Sequence, residues 1–185
     1  YDRYGYYSCA RVWWMLKAME FYNCAILDGG LPDWISAKYP TQKEHSFVFK
    51  KGNFTASCTT GLIHNHTKVL KNIDYDSVLV LDARSQDRFF GIQPEPREGL
   101  RSGHIPNSKS LPYTSLLDGT KLKSLKELQE LFSDYQSKEL IFTCGSGVTA
   151  CILALGAEIA GVKNKSVYDG SWTEWGSLSE LPIEK

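Results

Sequence analysis

The spacing of apolar positions changes period several times along the chain, and each change predicts an element. Val78-Leu79-Val80-Leu81, ending at Asp82, is a short apolar run that reads as a buried parallel strand. Residues 124–135 place Leu125, Leu128, Leu131 and Phe132 at helical spacing with charge between them. Ser124, with Glu127 three positions on, predicts a capping box at the start of that amphipathic helix. Leu140-Ile141-Phe142-Thr143 is a second buried strand. Residues 148–160 are apolar and alanine-rich, a buried helix that Gly161 ends, and Ser166-Val167-Tyr168 is a third strand. Strand, helix, strand, helix, strand predicts an α/β fold with a central parallel sheet flanked by helices.

The N-terminal stretch has the same grammar. Residues 8–19 predict a helix, 25–27 a strand and 31–37 a short helix. Residues 38–59, polar and carrying Pro40 and Gly52, predict a connection, after which Thr60 caps a helix over 61–70. An internal repeat links the two ends of the chain. Asp28-Gly29-Gly30-Leu31-Pro32-Asp33-Trp34 matches Asp169-Gly170-Ser171-Trp172-Thr173-Glu174-Trp175, with Asp-Gly at the start and Trp at the end of both. Counting back from each Asp puts Asp2 roughly where Cys144 stands. The predicted organisation is therefore half of one domain over residues 1–42, a linker over 43–68 and a complete domain over 69–185. The repeat also predicts that the first half of the N-terminal domain precedes Tyr1.

Composition narrows the function classes. The 185 residues are 42% hydrophobic, enough for a packed core. Lys+Arg and Asp+Glu are 21 each, so the net charge is zero, which argues against nucleic-acid binding through bulk positive charge. No apolar run approaches the roughly 20 residues that span a bilayer, so no membrane partner is expected. The 5 cysteines are odd in number and form no Cys-x-x-Cys pair. That disfavours a disulfide scaffold and a zinc site, and predicts reduced thiols in an intracellular compartment without metal or cofactor.

The stretch that carries chemistry is Cys144-Gly145-Ser146-Gly147-Val148-Thr149, which joins a predicted strand to a predicted helix. Its glycines let the backbone curl so that successive N–H groups face inward, and the helix start adds positive potential. A sulfur at the bottom of such a nest is expected to favour the thiolate. From these residues alone, a buried structural cysteine beside a Gly-rich turn is the competing reading.

This segment resembles the active-site loop of the rhodanese-type sulfurtransferases, in the form carried by the 3-mercaptopyruvate sulfurtransferases. Thiosulfate-preferring members carry basic residues where this chain has Gly145 and Ser146. The resemblance extends over Asp82-Ala83-Arg84, Arg88-Phe89-Phe90-Gly91, Pro94-Glu95-Pro96-Arg97, Gly103-His104-Ile105-Pro106-Asn107 and Tyr168-Asp169-Gly170-Ser171-Trp172. It also covers Arg11-Val12-Trp13-Trp14 and Leu27-Asp28-Gly29-Gly30-Leu31, which are similar to the end of the family's non-catalytic first domain. The resemblance implies a rhodanese-like domain preceded by the C-terminal half of a second one. It implies sulfur transfer from 3-mercaptopyruvate to a thiol or cyanide through a Cys144 persulfide, with pyruvate released. Arg88 and Arg97 are implied as donor-binding cations, with Gly145, Gly147, Val148 and Thr149 forming the rest of the binding loop. Ser146 either relays a proton or hydrogen-bonds the persulfide. Acceptors such as thioredoxin or low-molecular-weight thiols, and a cytoplasmic location (mitochondrial in a eukaryote), complete the expectation.

Other residues receive structural expectations. Arg84 braces the loop after its strand, His104 makes a structural hydrogen bond, and Asp169 positions the loop near Cys144. Trp172, Trp175 and Cys151 are core. Trp13, Trp14 and Leu16 are expected to lack half of their packing partners if the first half of the N-terminal domain is missing. Three alternatives remain at this point. A Cys-based phosphatase requires Arg at the sixth position after the Cys, where this chain has Ala150. A thiosulfate sulfurtransferase requires charge that Gly145 and Ser146 do not supply. A binding module without turnover is favoured by the incomplete first domain and opposed by the intact Cys144.

Overall fold

The structure is a computed structural model that describes residues 1–43, 50–59 and 61–185. In chain order its elements are α1 (Cys9–Ala18), α2 (Gly30–Ser36), β1 (Ile63–His64), α3 (His66–Asn72), β2 (Val78–Asp82), α4 (Gln86–Phe89) and β3 (Lys109–Ser110). A 3-10 turn over Tyr113–Leu116 leads to the small hairpin β4 (Leu117–Asp118) and β5 (Lys121–Leu122). The chain then runs through α5 (Leu125–Phe132), β6 (Glu139–Thr143), α6 (Ala150–Ile159), β7 (Lys165–Tyr168) and α7 (Ser171–Trp175). The main sheet has strand order β1-β7-β6-β2-β3, and every pairing in it is parallel.

Alternation along each strand divides the core into two layers, because successive side chains leave opposite faces of a sheet. Leu79 and Leu81 of β2, Leu140 and Phe142 of β6 and Val167 of β7 face one layer, against Trp14 of α1, Leu128 and Phe132 of α5 and the alanine-rich α6. Val80, Ile141 and Tyr168 face the other, against Val69 of α3 and Trp172 and Trp175 of α7. The sequence pattern explains this: strands covered on both faces need consecutive apolar residues, which positions 78–81 of β2 and 140–142 of β6 supply. The capping box of α5 forms as expected. Ser124 accepts the Glu127 N–H, and the Glu127 carboxylate accepts the Ser124 N–H at 3.0 Å.

Four expectations need correction. Residues 25–27 form no strand, since no neighbouring strand among the described residues offers them a ladder. The helix expected over 61–70 begins instead at His66, capped by the Asn65 side chain, which accepts the Lys68 N–H at 3.0 Å. Thr60 lies outside the described residues. Residues 63–68, expected to end a linker, supply the edge strand β1 and the first turn of α3, since Ile63 and His64 pair with Val167 and Tyr168. Finally, Trp14 does not lack partners: it is fully buried in the α1, α6 layer, although its indole N–H finds no acceptor there.

Candidate active site

Cys144 follows the last residue of β6, at the C-terminal edge of the parallel sheet, where α/β folds place their ligands. Cys144 is 1% exposed and forms part of the lining of a cleft of about 540 Å³. The walls carry Arg84, Arg88, Glu95, Arg97, Ser146 and Thr149. Of the residues singled out in the sequence, Gly145 and Val148 also line the cleft. Gly147 does not; it is buried beneath the loop.

Three carbonyls of the loop are tied away from the cleft. The Trp172 N–H donates to the Cys144 carbonyl at 2.9 Å, and the Thr173 N–H and hydroxyl donate to the Gly145 carbonyl at 2.9 and 2.6 Å. Arg11 Nη1 and Cys151 Sγ donate to the Gly147 carbonyl at 3.3 and 3.2 Å. A trans peptide points its N–H opposite to its C=O, so these ties turn the N–H groups of Gly145, Ser146 and Val148 toward the cleft. None of the N–H groups from Gly145 to Ala150 has an acceptor among the described protein groups. Thr149 stands at the start of α6 without capping it through its side chain. The result is a ring of backbone donors around Cys144, a geometry suited to negative charge.

The first repeat contains the same device, filled. Asp2 corresponds to Cys144, and its carboxylate accepts from the N–H groups of Tyr4 at 3.0 Å, Ser8 at 2.5 Å and Cys9 at 2.9 Å. Burial works to raise the Asp2 pKa, but these backbone donors override it and hold the carboxyl down at about 2. Gly5 and Gly147 occupy matching positions and share positive φ, +85° and +72°. A loop of this shape therefore binds a charged group within this same chain.

Beside the loop lies a buried charge network. Arg84 pairs with Asp82 through Nη2 at 2.7 Å and with Glu95 through Nη1 at 2.7 Å, and its guanidinium lies 4.3 Å from the centre of the Trp172 ring. Arg84 thus braces the loop, as expected. Arg88 gives Nε and Nη2 to the Glu95 carboxylate at 3.2 and 2.5 Å, which leaves Nη1 for a ligand. A Cβ on Gly145 would come within 3.0 Å of Arg88 Nη2, so the missing side chain is what lets this guanidinium reach the loop. Arg97 donates to the Thr173 hydroxyl, which in turn ties Gly145. His104 makes the expected structural bond, Nδ1 to the Phe89 carbonyl at 2.9 Å.

Sequence reasoning assigned no role to Glu95, Thr173 or Ser171. Ser171 is fully buried with φ of +50°, and its hydroxyl accepts the Cys144 N–H at 3.2 Å. A signal for it existed: the repeat aligns Ser171 with Gly30, whose φ is +60°, so a residue with a side chain stands where the backbone favours glycine. Arg11 opens the Arg11-Val12-Trp13-Trp14 motif of α1. It pairs with Asp169 and so joins α1 to the loop before α7. Cys151 is core, as expected, and burial, only partly opposed by Arg11, pushes its thiol up to about 12.

Among the described residues no helix is long and apolar enough to cross a membrane. Comparison with known proteins matches residues 65–178 to the rhodanese-like domain. The chain is 43% identical over 177 residues to mouse 3-mercaptopyruvate sulfurtransferase, covering 92% of this chain and 59% of that protein. It is 38% identical over 180 residues to rat thiosulfate sulfurtransferase, covering 94% and 60%. The chain thus spans about three fifths of the length of these relatives. A crystal structure of a 3-mercaptopyruvate sulfotransferase from Escherichia coli superposes with a TM-score of 0.80 at 32% identity, over 93% of this chain and 65% of that one. Fold, loop and relatives agree, and the chain belongs to the rhodanese family.

Proposed function

We propose that this chain moves sulfur from 3-mercaptopyruvate to a thiol or cyanide through a persulfide on Cys144. The observation that carries the reading is the ring of unpaired N–H groups from Gly145 to Ala150 around the Cys144 side chain, beside the free edge of Arg88 and the exposed cation Arg97. The Cys144 thiolate attacks the donor sulfur. An S–S bond forms, the donor C–S bond breaks, and its electron pair leaves on pyruvate as the enolate, which takes a proton. Arg88 Nη1 and Arg97 hold the donor carboxylate, for which a guanidinium edge is geometrically suited. The hydroxyls of Ser146 and Thr149 serve the departing enolate oxygen or the new persulfide as hydrogen-bond donors. An acceptor thiol then attacks the outer sulfur and restores Cys144. Absence of basic side chains at positions 145 and 146 favours this donor over thiosulfate, a choice that relatives of both names leave open.

The same reading takes residues 1–42 as the C-terminal half of a second rhodanese-like domain, supported by the Asp2 nest and its repeat with Cys144. Thioredoxin or low-molecular-weight thiols suit the acceptor step, in the cytoplasm or, in a eukaryote, the mitochondrion. Incubating the chain with 3-mercaptopyruvate and mapping the mass of the Cys144 peptide tests the mechanism. One added sulfur atom is expected. An unmodified Cys144, or sulfur found only on Cys58, refutes it.

A further inference from the structure

We infer that Glu95 sets the charge of the donor this cleft accepts, by cancelling one of its cations so that a monoanion fits better than a dianion. The inference rests on the cleft being a sulfur-donor site. Asp82, Arg84, Glu95 and Arg88 form one continuous chain of ion pairs, with contacts of 2.7, 2.7 and 2.5 Å. Two carboxylates and two guanidiniums make this chain neutral. Its middle is dry: the side chains of Arg84 and Glu95 are 1% and 2% exposed. Arg97 stands outside it, bonded to the Thr173 hydroxyl, with no carboxylate partner among the described residues. Leaving aside the Cys144 sulfur, which every donor meets alike, the cleft wall therefore has a surplus of one positive charge.

A donor with a single carboxylate balances that surplus. A dianion leaves one negative charge facing a Glu95 carboxylate that water does not screen, and such like-charge placement is a strong discriminator. Glu95 also occupies the Nε, Nη2 edge of Arg88, so only one guanidinium nitrogen of that residue remains for a ligand. Without the carboxylate, both edges of Arg88 serve the ligand and the surplus rises to two. Glu95 is thus a specificity-determining residue that acts through charge.

The test compares kcat/KM for thiosulfate and 3-mercaptopyruvate in the 185-residue chain, in Glu95→Gln and in Glu95→Asp. Glu95→Gln keeps the size and one acceptor oxygen, and the thiosulfate to mercaptopyruvate ratio is expected to rise about tenfold or more. Glu95→Asp keeps the charge and is expected to leave the ratio within about threefold of the unaltered chain. An unchanged ratio in Glu95→Gln, or an equal shift in Glu95→Asp, overturns the inference. A second measurement needs no turnover: protection of Cys144 from iodoacetamide by pyruvate and by inorganic sulfate, in the unaltered chain and in Glu95→Gln. Pyruvate is expected to protect the unaltered chain at lower concentration than sulfate, and Glu95→Gln is expected to narrow or reverse that difference; the same difference in both proteins overturns the inference. Protection that shifts in this way between the two proteins, with no Cys144 persulfide formed, refutes the sulfur-transfer reading and leaves the role of Glu95 standing.

Discussion

Asp2 holds in the first repeat the place that Cys144 holds in the second: the Asp2 carbonyl accepts the Leu31 N–H at 2.8 Å, as the Cys144 carbonyl accepts that of Trp172 at 2.9 Å. The two loops share a backbone and differ in the group at its centre. One encloses a fixed carboxylate, which anchors the N-terminal segment. The other encloses the Cys144 sulfur, the atom proposed to carry the transferred sulfur.

Asp2→Asn is expected to destabilise the protein by about 2 kcal/mol at pH 7, because the native carboxyl titrates near 2 instead of its usual 3.8. The sign follows from the depressed value. The unfolded state binds the proton first as pH falls, so the contribution is complete above about pH 4 and gone below about pH 2. Urea unfolding of both proteins at pH 7 and pH 2 checks this, with the difference expected to vanish at the lower pH.

Arg11 and Asp169 are part exposed, 25% and 47%, so breaking the pair should cost under about 1 kcal/mol of stability. Catalysis should suffer more, since Arg11 also fixes the Gly147 carbonyl and hence the loop amides. Arg11→Met is expected to lower kcat by about 10- to 100-fold. Asp169→Asn should do less alone and add little to Arg11→Met, as expected of residues acting through one contact. Thermal melts and steady-state kinetics on the single and double variants separate the two effects.

The two loop glycines should respond differently to alanine. At Gly145 the new Cβ meets the far end of the flexible Arg88 side chain, so stability should change by under about 1 kcal/mol while KM for the donor rises. At Gly147, φ is +72° and the Cβ would lie 2.7 Å from the Asp169 carbonyl oxygen, so Gly147→Ala should cost about 1–3 kcal/mol and most of the activity. Denaturation midpoints set against KM and kcat distinguish them.

Arg97→Ala removes the cleft cation that no carboxylate among the described residues neutralises. It is expected to weaken kcat/KM for 3-mercaptopyruvate by about 10- to 100-fold, and use of an uncharged sulfur donor far less. Equal losses with both donors would show that Arg97 serves the loop through Thr173 and not the donor carboxylate.

Much of this arrangement is legible in the sequence because it depends on local period and local spacing. Runs such as Val78 to Leu81 and Leu140 to Thr143 define strands covered on both faces, and the Ser124, Glu127 pair fixes a helix start. The glycines around Ser146 mark a backbone that curls at the end of a strand, and the Asp-Gly repeat marks Asp2 as the counterpart of Cys144. Elements whose existence depends on a distant partner were read less well. Residues 25–27 have strand composition but no ladder, and β1 forms at Ile63 and His64 because β7 lies beside them. Tertiary structure alone decided that Glu95 joins Arg84 to Arg88, that Thr173 and Arg11 hold the loop carbonyls outward, and that Ser171 supports the Cys144 N–H. These are contacts between side chains or carbonyls up to 136 residues apart, and a linear pattern carries no record of which distant groups share a charge or a hydrogen bond.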